Sequence, residues 1–199
     1  MTDKTASQLN FFSTIKVGGW TLVSRVAGLI RDIFTTNLLG ASIFHDIFVV
    51  VLKIPNVFRK LFAEGAFSQA FIPIYSEYIG SKDEKGSQDF LNALFGILLS
   101  ALFIFTTLAL LFAPVFILIF APGFYFDVQK QDLAVSLLRI MFPYLALISL
   151  VAFAAGIQNS HNKFSIPALT PLIFNLSLIG SAWLVAPKID IPVMALAWG

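Results

Sequence analysis

Eight ionisable side chains stand where an apolar sequence should carry none: Arg25, Arg31 and Asp32 in a first hydrophobic stretch, then Asp46, Lys53, Arg59, Lys60 and Glu64 in a second. Each costs about 2.5–3.5 kcal/mol at a lipid-facing mid-helix position. Two adjacent helices cannot carry several such penalties in hydrocarbon, so these groups must face one another or a wet cavity. A spacing of seven residues returns a side chain to nearly the same helix face. Arg25 and Asp32 therefore share one stripe, Asp46, Lys53 and Lys60 share another, and Lys60 and Glu64 are an i, i+4 pair. The very short turn between the two helices makes them expected close antiparallel neighbours whose polar stripes meet. The plainer alternative is that the charges pair off or snorkel to the interfaces, a reading open for Lys53, Lys60 and Glu64. It is weaker for Arg25, Arg31 and Arg59, which outnumber the carboxylates able to neutralise them. Surplus guanidinium in a membrane cavity is an anion site, because its planar fork chelates phosphate at two points. The matching guest is an anionic lipid headgroup or a phosphorylated solute.

The elements that must position these groups are transmembrane helices. Hydrophobic residues make up 58% of the 199 residues and charged ones 12%, and the mean hydropathy is +0.86, against about a quarter charged in soluble domains. No acidic or basic side chain occurs between Asp89 and Asp127, or between Lys163 and Lys188; such stretches reach the ~20 residues a crossing helix needs. Polar punctuation divides the chain into spans over 11–39, 46–78, 90–120, 133–157 and 164–186, with a sixth begun at 191–199. The expected fold is all-α, a polytopic helical bundle, and the unfinished sixth span makes the chain an amino-terminal part of something longer.

Short-loop Lys and Arg counts orient the bundle. Lys4, Lys82, Lys85 and Lys163, with Lys16 near the entry, fall on one side; Lys130 and Lys188 fall on the other. The amino terminus is expected in the cytoplasm. Gly18, Gly19 and Gly28 in the first span, and Pro55 and Pro73 in the second, loosen the backbone beside the charges or allow close packing. Arg139 reads as interfacial, His45 and His161 as surface histidines in turns, and Asn56, Gln69 and Asn175 as hydrogen-bonding links between helices. The Phe-rich third span reads as lipid-facing bulk. The net charge of +2 is scattered, so no nucleic-acid footprint exists. There is no cysteine, and neither a metal site nor a cofactor is indicated. A membrane enzyme acting on a polyprenyl phosphate would need clustered Asp or His, whereas the acidic groups here are spread singly. Within transport the alternative is export of another lipid-linked oligosaccharide or of a drug; a drug exporter would be expected to use carboxylates for cationic guests, whereas arginines prevail.

The run from Pro55 to Pro73, PNVFRKLFAEGAFSQAFIP, resembles the signature of the MurJ (MviN) lipid II flippases, of the multidrug/oligosaccharidyl-lipid/polysaccharide exporter superfamily. Ser24-Arg25-Val26-Ala27-Gly28 with Arg31-Asp32, Ala121-Pro122-Gly123-Phe124 and Asn162-Lys163-Phe164-Ser165-Ile166-Pro167-Ala168 are similar to further stretches of that family. Lys60 stands where the family often has a second arginine, which keeps the charge but loses the fork. The resemblance implies a two-lobe, fourteen-helix transporter in the bacterial inner membrane, with this chain as most of its first lobe. It also implies lipid II, an undecaprenyl-diphosphate-linked peptidoglycan precursor, as substrate, moved to the outer leaflet by alternating access. Arg25, Arg31 and Arg59 would line the cavity, Asp32, Asp46 and Glu64 would support or gate, and any cation site would lie in the second lobe.

Overall fold

The computed structural model describes the backbone of residues 2–60, 66–81, 83–161, 163–164 and 167–199, and their side chains apart from those of 2–16, 66–68 and 125. Among the described residues there is helix and turn but no strand. The helices are α1 (Thr2–Leu39), α2 (Ile43–Arg59), α3 (Ala66–Ser81), α4 (Glu84–Leu111), α5 (Ala113–Phe120), α6 (Pro122–Tyr125), α7 (Val128–Met141), α8 (Tyr144–Ser160), α9 (Thr170–Gly180) and α10 (Pro192–Trp198). A π-helical turn, Ser181–Val185, prolongs α9.

Local chemistry sets the joints. Gly40 closes α1 with a left-handed φ of 59° and its N–H on Thr36 O at 2.7 Å, a conformation other residues adopt only with strain. Asp83 caps α4 by accepting from Gly86 N at 2.9 Å. The apolar run expected as one span over 90–120 is jointed at Phe112, because Pro114 has no N–H for the carbonyl of Leu110 four residues back. Arg139 of α7 supplies the missing donor, its Nε reaching Leu110 O at 3.3 Å. Pro143 likewise separates α7 from α8.

Asp127 caps α7, accepting from Lys130 N at 3.2 Å and pairing with Lys130 Nζ at 3.1 Å. The Lys130 side-chain bond, first among the causes, holds this carboxyl below its ordinary range. A lowered carboxylate pKa stabilises the folded form above the unfolded value, and that stability is lost as pH falls through the folded one. Amide exchange over 128–131 should therefore accelerate on acidification below the usual Asp range, and Asp127→Asn should remove most of that pH dependence.

The main core lies among α2, α5, α7 and α10, where Val51, Ile117, Leu137, Leu138, Phe142 and Val193 are fully buried. Phe58 and Phe142 join it to the third stretch through edge and tilted contacts with Phe105 and Phe116. The expectation of a uniformly lipid-facing third stretch thus holds for Phe103, which is exposed, but fails for Phe105 and Phe116. A smaller cluster, Phe71, Tyr75, Leu98, Leu102 and Phe153, ties α3, α4 and α8 together. The outside is apolar: Leu22, Ile97, Phe103, Leu111, Ile119 and Trp183 are all exposed, a surface suited to lipid and not to water. Among the described residues three helical stretches are long and apolar enough to cross a membrane, Glu84–Leu111, Val128–Ser160 and Pro167–Lys188.

One packing expectation is overturned. The short turn after α1 suggested that α1 and α2 lie side by side with their polar stripes meeting; instead α1 packs along α9 and barely touches α2. The space between them is the cavity described next.

Candidate functional site

The sequence Pro55-Asn56-x-x-Arg59 builds one edge of the site. Pro55 interrupts the α2 ladder, and Asn56 turns its amide onto the neighbouring carbonyl, Nδ2 to Leu52 O at 2.9 Å. The same amide accepts from Arg59 Nε at 3.2 Å, so the kink and the guanidinium are set by one side chain.

On α1 the corresponding post is Arg31. Its Nε and Nη2 both donate to Asp32 Oδ1, at 3.0 and 2.7 Å, and Nη1 donates to Asn175 Oδ1 at 2.9 Å. Asn175, buried on α9, donates in turn to Ser24 O at 3.0 Å. This chain of bonds fastens α9 to α1 and holds Arg31 from a neighbouring helix. The link between helices expected of Asn175 is therefore present. These bonds engage three of the five guanidinium N–H groups, and one on each Nη is left for a guest.

Arg31, Asp32, Arg59 and Lys60 line one cavity of about 840 Å³, together with Thr35, Thr36, His45 and Asn56 on the α1 and α2 side. The opposite wall is apolar and comes from α8 and the approach to α9, with Tyr144, Ile148, Val151, Pro171 and Phe174. Tyr144 and Phe174 bridge those two helices, their ring centroids 5.4 Å apart. The volume lies at the upper end of the ~300–1,000 Å³ common for ligand sites. Among the described residues three basic side chains face one carboxylate, Asp32, an arrangement that attracts anions, and the apolar wall suits hydrocarbon.

Not every expected residue reaches this cavity. Arg25 and Asp46 are exposed and do not line it. The Arg25–Asp32 stripe does not pair; Asp32 is taken by its neighbour Arg31. Lys53 is exposed outside the wall as well, and Glu64 lies outside the described residues. Conversely, His45, expected as a surface histidine, lines the cavity. A signal for it existed: His45, Val49, Leu52, Asn56 and Arg59 recur at steps of three and four, one face of a helix.

An all-α bundle with an apolar outside and a cationic, half-apolar cavity defines the class, a polytopic membrane protein. The chain belongs to the lipid II flippase MurJ family, whose model matches residues 35–199. It is 40% identical over 94% of its length to the lipid II flippase MurJ of Burkholderia cenocepacia, covering 36% of that protein. It is 43% identical over 92% of its length to the probable lipid II flippase MurJ of Buchnera aphidicola, again covering 36%, and 38% identical over its whole length to that of Vibrio cholerae, covering 39%. Among solved structures it is similar to a lipid II flippase MurJ in an inward closed conformation, with a TM-score of 0.78 and 32% identity over 92% of this chain and 38% of that one. The chain thus spans somewhat over a third of the length of the curated relatives it matches.

Proposed function

We propose that this chain forms part of a flippase for lipid II, the polyprenyl-diphosphate-linked peptidoglycan precursor, moving it from the inner to the outer leaflet of the bacterial cytoplasmic membrane. The observation that carries the reading is the convergence of Arg31, Arg59 and Lys60 on one cavity against a single carboxylate among the described residues. Arg31 and Arg59 offer planar forks to the diphosphate, and Lys60 adds a point charge. Asp32 keeps Arg31 in place when the cavity is empty. Arg25 stands two turns before Asp32 on the same face of α1 and meets the substrate on its approach; Asp46 and Glu64 support or gate. No bond is made or broken: binding energy differing between inward- and outward-facing arrangements drives the exchange. The Lys-rich loops set the amino terminus in the cytoplasm, and any coupling cation is held by the rest of the protein.

The test is Arg59→Ala in the intact protein, reconstituted in vesicles and assayed for leaflet exchange of a fluorescent polyprenyl-diphosphate-linked sugar. Loss of one charge-assisted contact, ~1.5–3 kcal/mol, predicts a fall of about tenfold or more. Exchange at the unaltered rate would remove Arg59 from the mechanism.

A further inference from the structure

The stripe of α2 that faces the cavity begins well before its arginine. The rise of a helix puts His45 about 21 Å from Arg59 along the axis, and Phe48, Val49 and Leu52 make the cavity wall apolar between them. His45 shares the cavity with Thr35 and Thr36 of α1. Thr35 spends its hydroxyl on Asp32 O at 3.1 Å, whereas Thr36 is exposed.

The imidazole of His45 is not saturated. Its Nδ1 is shut off from solvent with no hydrogen-bond partner, which leaves Nε2 as the nitrogen a guest can meet. A buried lone pair left unpaired is better tolerated than a buried N–H, so the ring proton belongs on Nε2, as a donor toward the cavity. A donor of this kind recognises a carbonyl or hydroxyl oxygen. With Arg59 a further 21 Å or so along α2, no single diphosphate spans from that fork to His45.

We propose that His45 Nε2 and the Thr36 hydroxyl form a second subsite that selects the sugar-bearing head of a lipid-linked diphosphate, while the phosphates stay on Arg31 and Arg59. The proposal rests on the flippase reading, and deepens it by dividing the cavity into a phosphate end and a sugar end.

Two probes separate the ends: a polyprenyl diphosphate carrying a sugar, and the same polyprenyl diphosphate without one, each titrated against the intact protein in lipid nanodiscs. The quantity read is the ratio of their affinities. His45→Ala is expected to lower the preference for the sugar-bearing probe about tenfold, the worth of a hydrogen bond whose loss strands a polar group. His45→Gln, whose amide N–H stands near the place of Nε2, should restore most of it, and the near-isosteric Thr36→Val should lower it in the same sense. Arg59→Ala should weaken both probes and leave the ratio unmoved. An unchanged ratio in both His45→Ala and Thr36→Val overturns the sugar subsite while leaving the phosphate site standing. Full affinity of both Arg31→Ala and Arg59→Ala for both probes would instead overturn the flippase reading, and the subsite with it.

Discussion

Alanine in place of Phe142 is expected to cost about 3 kcal/mol of stability, the lower end of the range for truncating a buried aromatic ring. Phe142 is fully buried at the joint between α7 and α8, immediately before Pro143. Its ring meets Phe116 at 5.6 Å, Phe105 at 5.8 Å and Phe58 at 6.1 Å between centroids. Three other helices thus converge on one side chain. The low end of the range applies because acyl chains are as apolar as the core, so burial inside a bilayer has little hydrophobic drive and the loss is mainly packing. Phe58 directly precedes Arg59, so slackening here should also reach the cavity. Chemical unfolding in detergent micelles reads the effect: Phe142→Leu should recover more than half of the loss. Unfolding of Phe142→Ala at the same denaturant concentration as the parent would remove the aromatic joint from any account of stability.

What the sequence made legible, and what it did not, follows the range of the forces involved. The end of α1 was readable, because Gly40 can be left-handed; the start of α4 was not, since the span was expected from 90 whereas Asp83 caps a helix that already begins at Glu84 in the polar stretch. The joints at Phe112 and Phe142 were not read, since hydropathy averaged over a window passes smoothly across Pro114 and Pro143. The excess of guanidinium over carboxylate was legible, because burial of charge is costly wherever the helices lie. Which arginines share a chamber was not, since that depends on which helices pack together. Helix adjacency along the chain suggested α1 against α2, yet α1 rests on α9, and Asn175 is the residue that fastens the contact. His45 was assigned to a turn although its spacing from Arg59 placed it on the cavity face; the turn residues Gly40 to Ser42 stood too near to let the helical period be trusted there.

Arg31→Ala should be the most damaging substitution for substrate binding, lowering affinity for a polyprenyl diphosphate about 100-fold, from the loss of charge-assisted bonds together with the release of the group they hold. Arg31 contributes a fork to the cavity and at the same time neutralises Asp32 and fixes Asn175. Its removal leaves the carboxylate of Asp32, more than half exposed toward the cavity, as an unopposed negative charge facing an anion. Exposure on that scale means solvent screens the pair, so the effect on folding should be small while the effect on binding is large. Three variants separate these roles. Asp32→Asn should tighten diphosphate binding a few-fold at low salt, because the cavity loses a lining carboxylate, and the gain should shrink as ionic strength rises. The double variant Arg31→Ala, Asp32→Asn should bind better than Arg31→Ala alone. Arg31→Lys should recover little, because an ammonium cannot reach Asp32 and Asn175 together while offering a second edge to phosphate. Competition titrations in nanodiscs at two salt concentrations measure all of these. Weaker binding by Asp32→Asn, matching that of Arg31→Ala, would mean that the carboxylate itself holds the ligand, and a cationic guest would then fit this cavity better than a diphosphate.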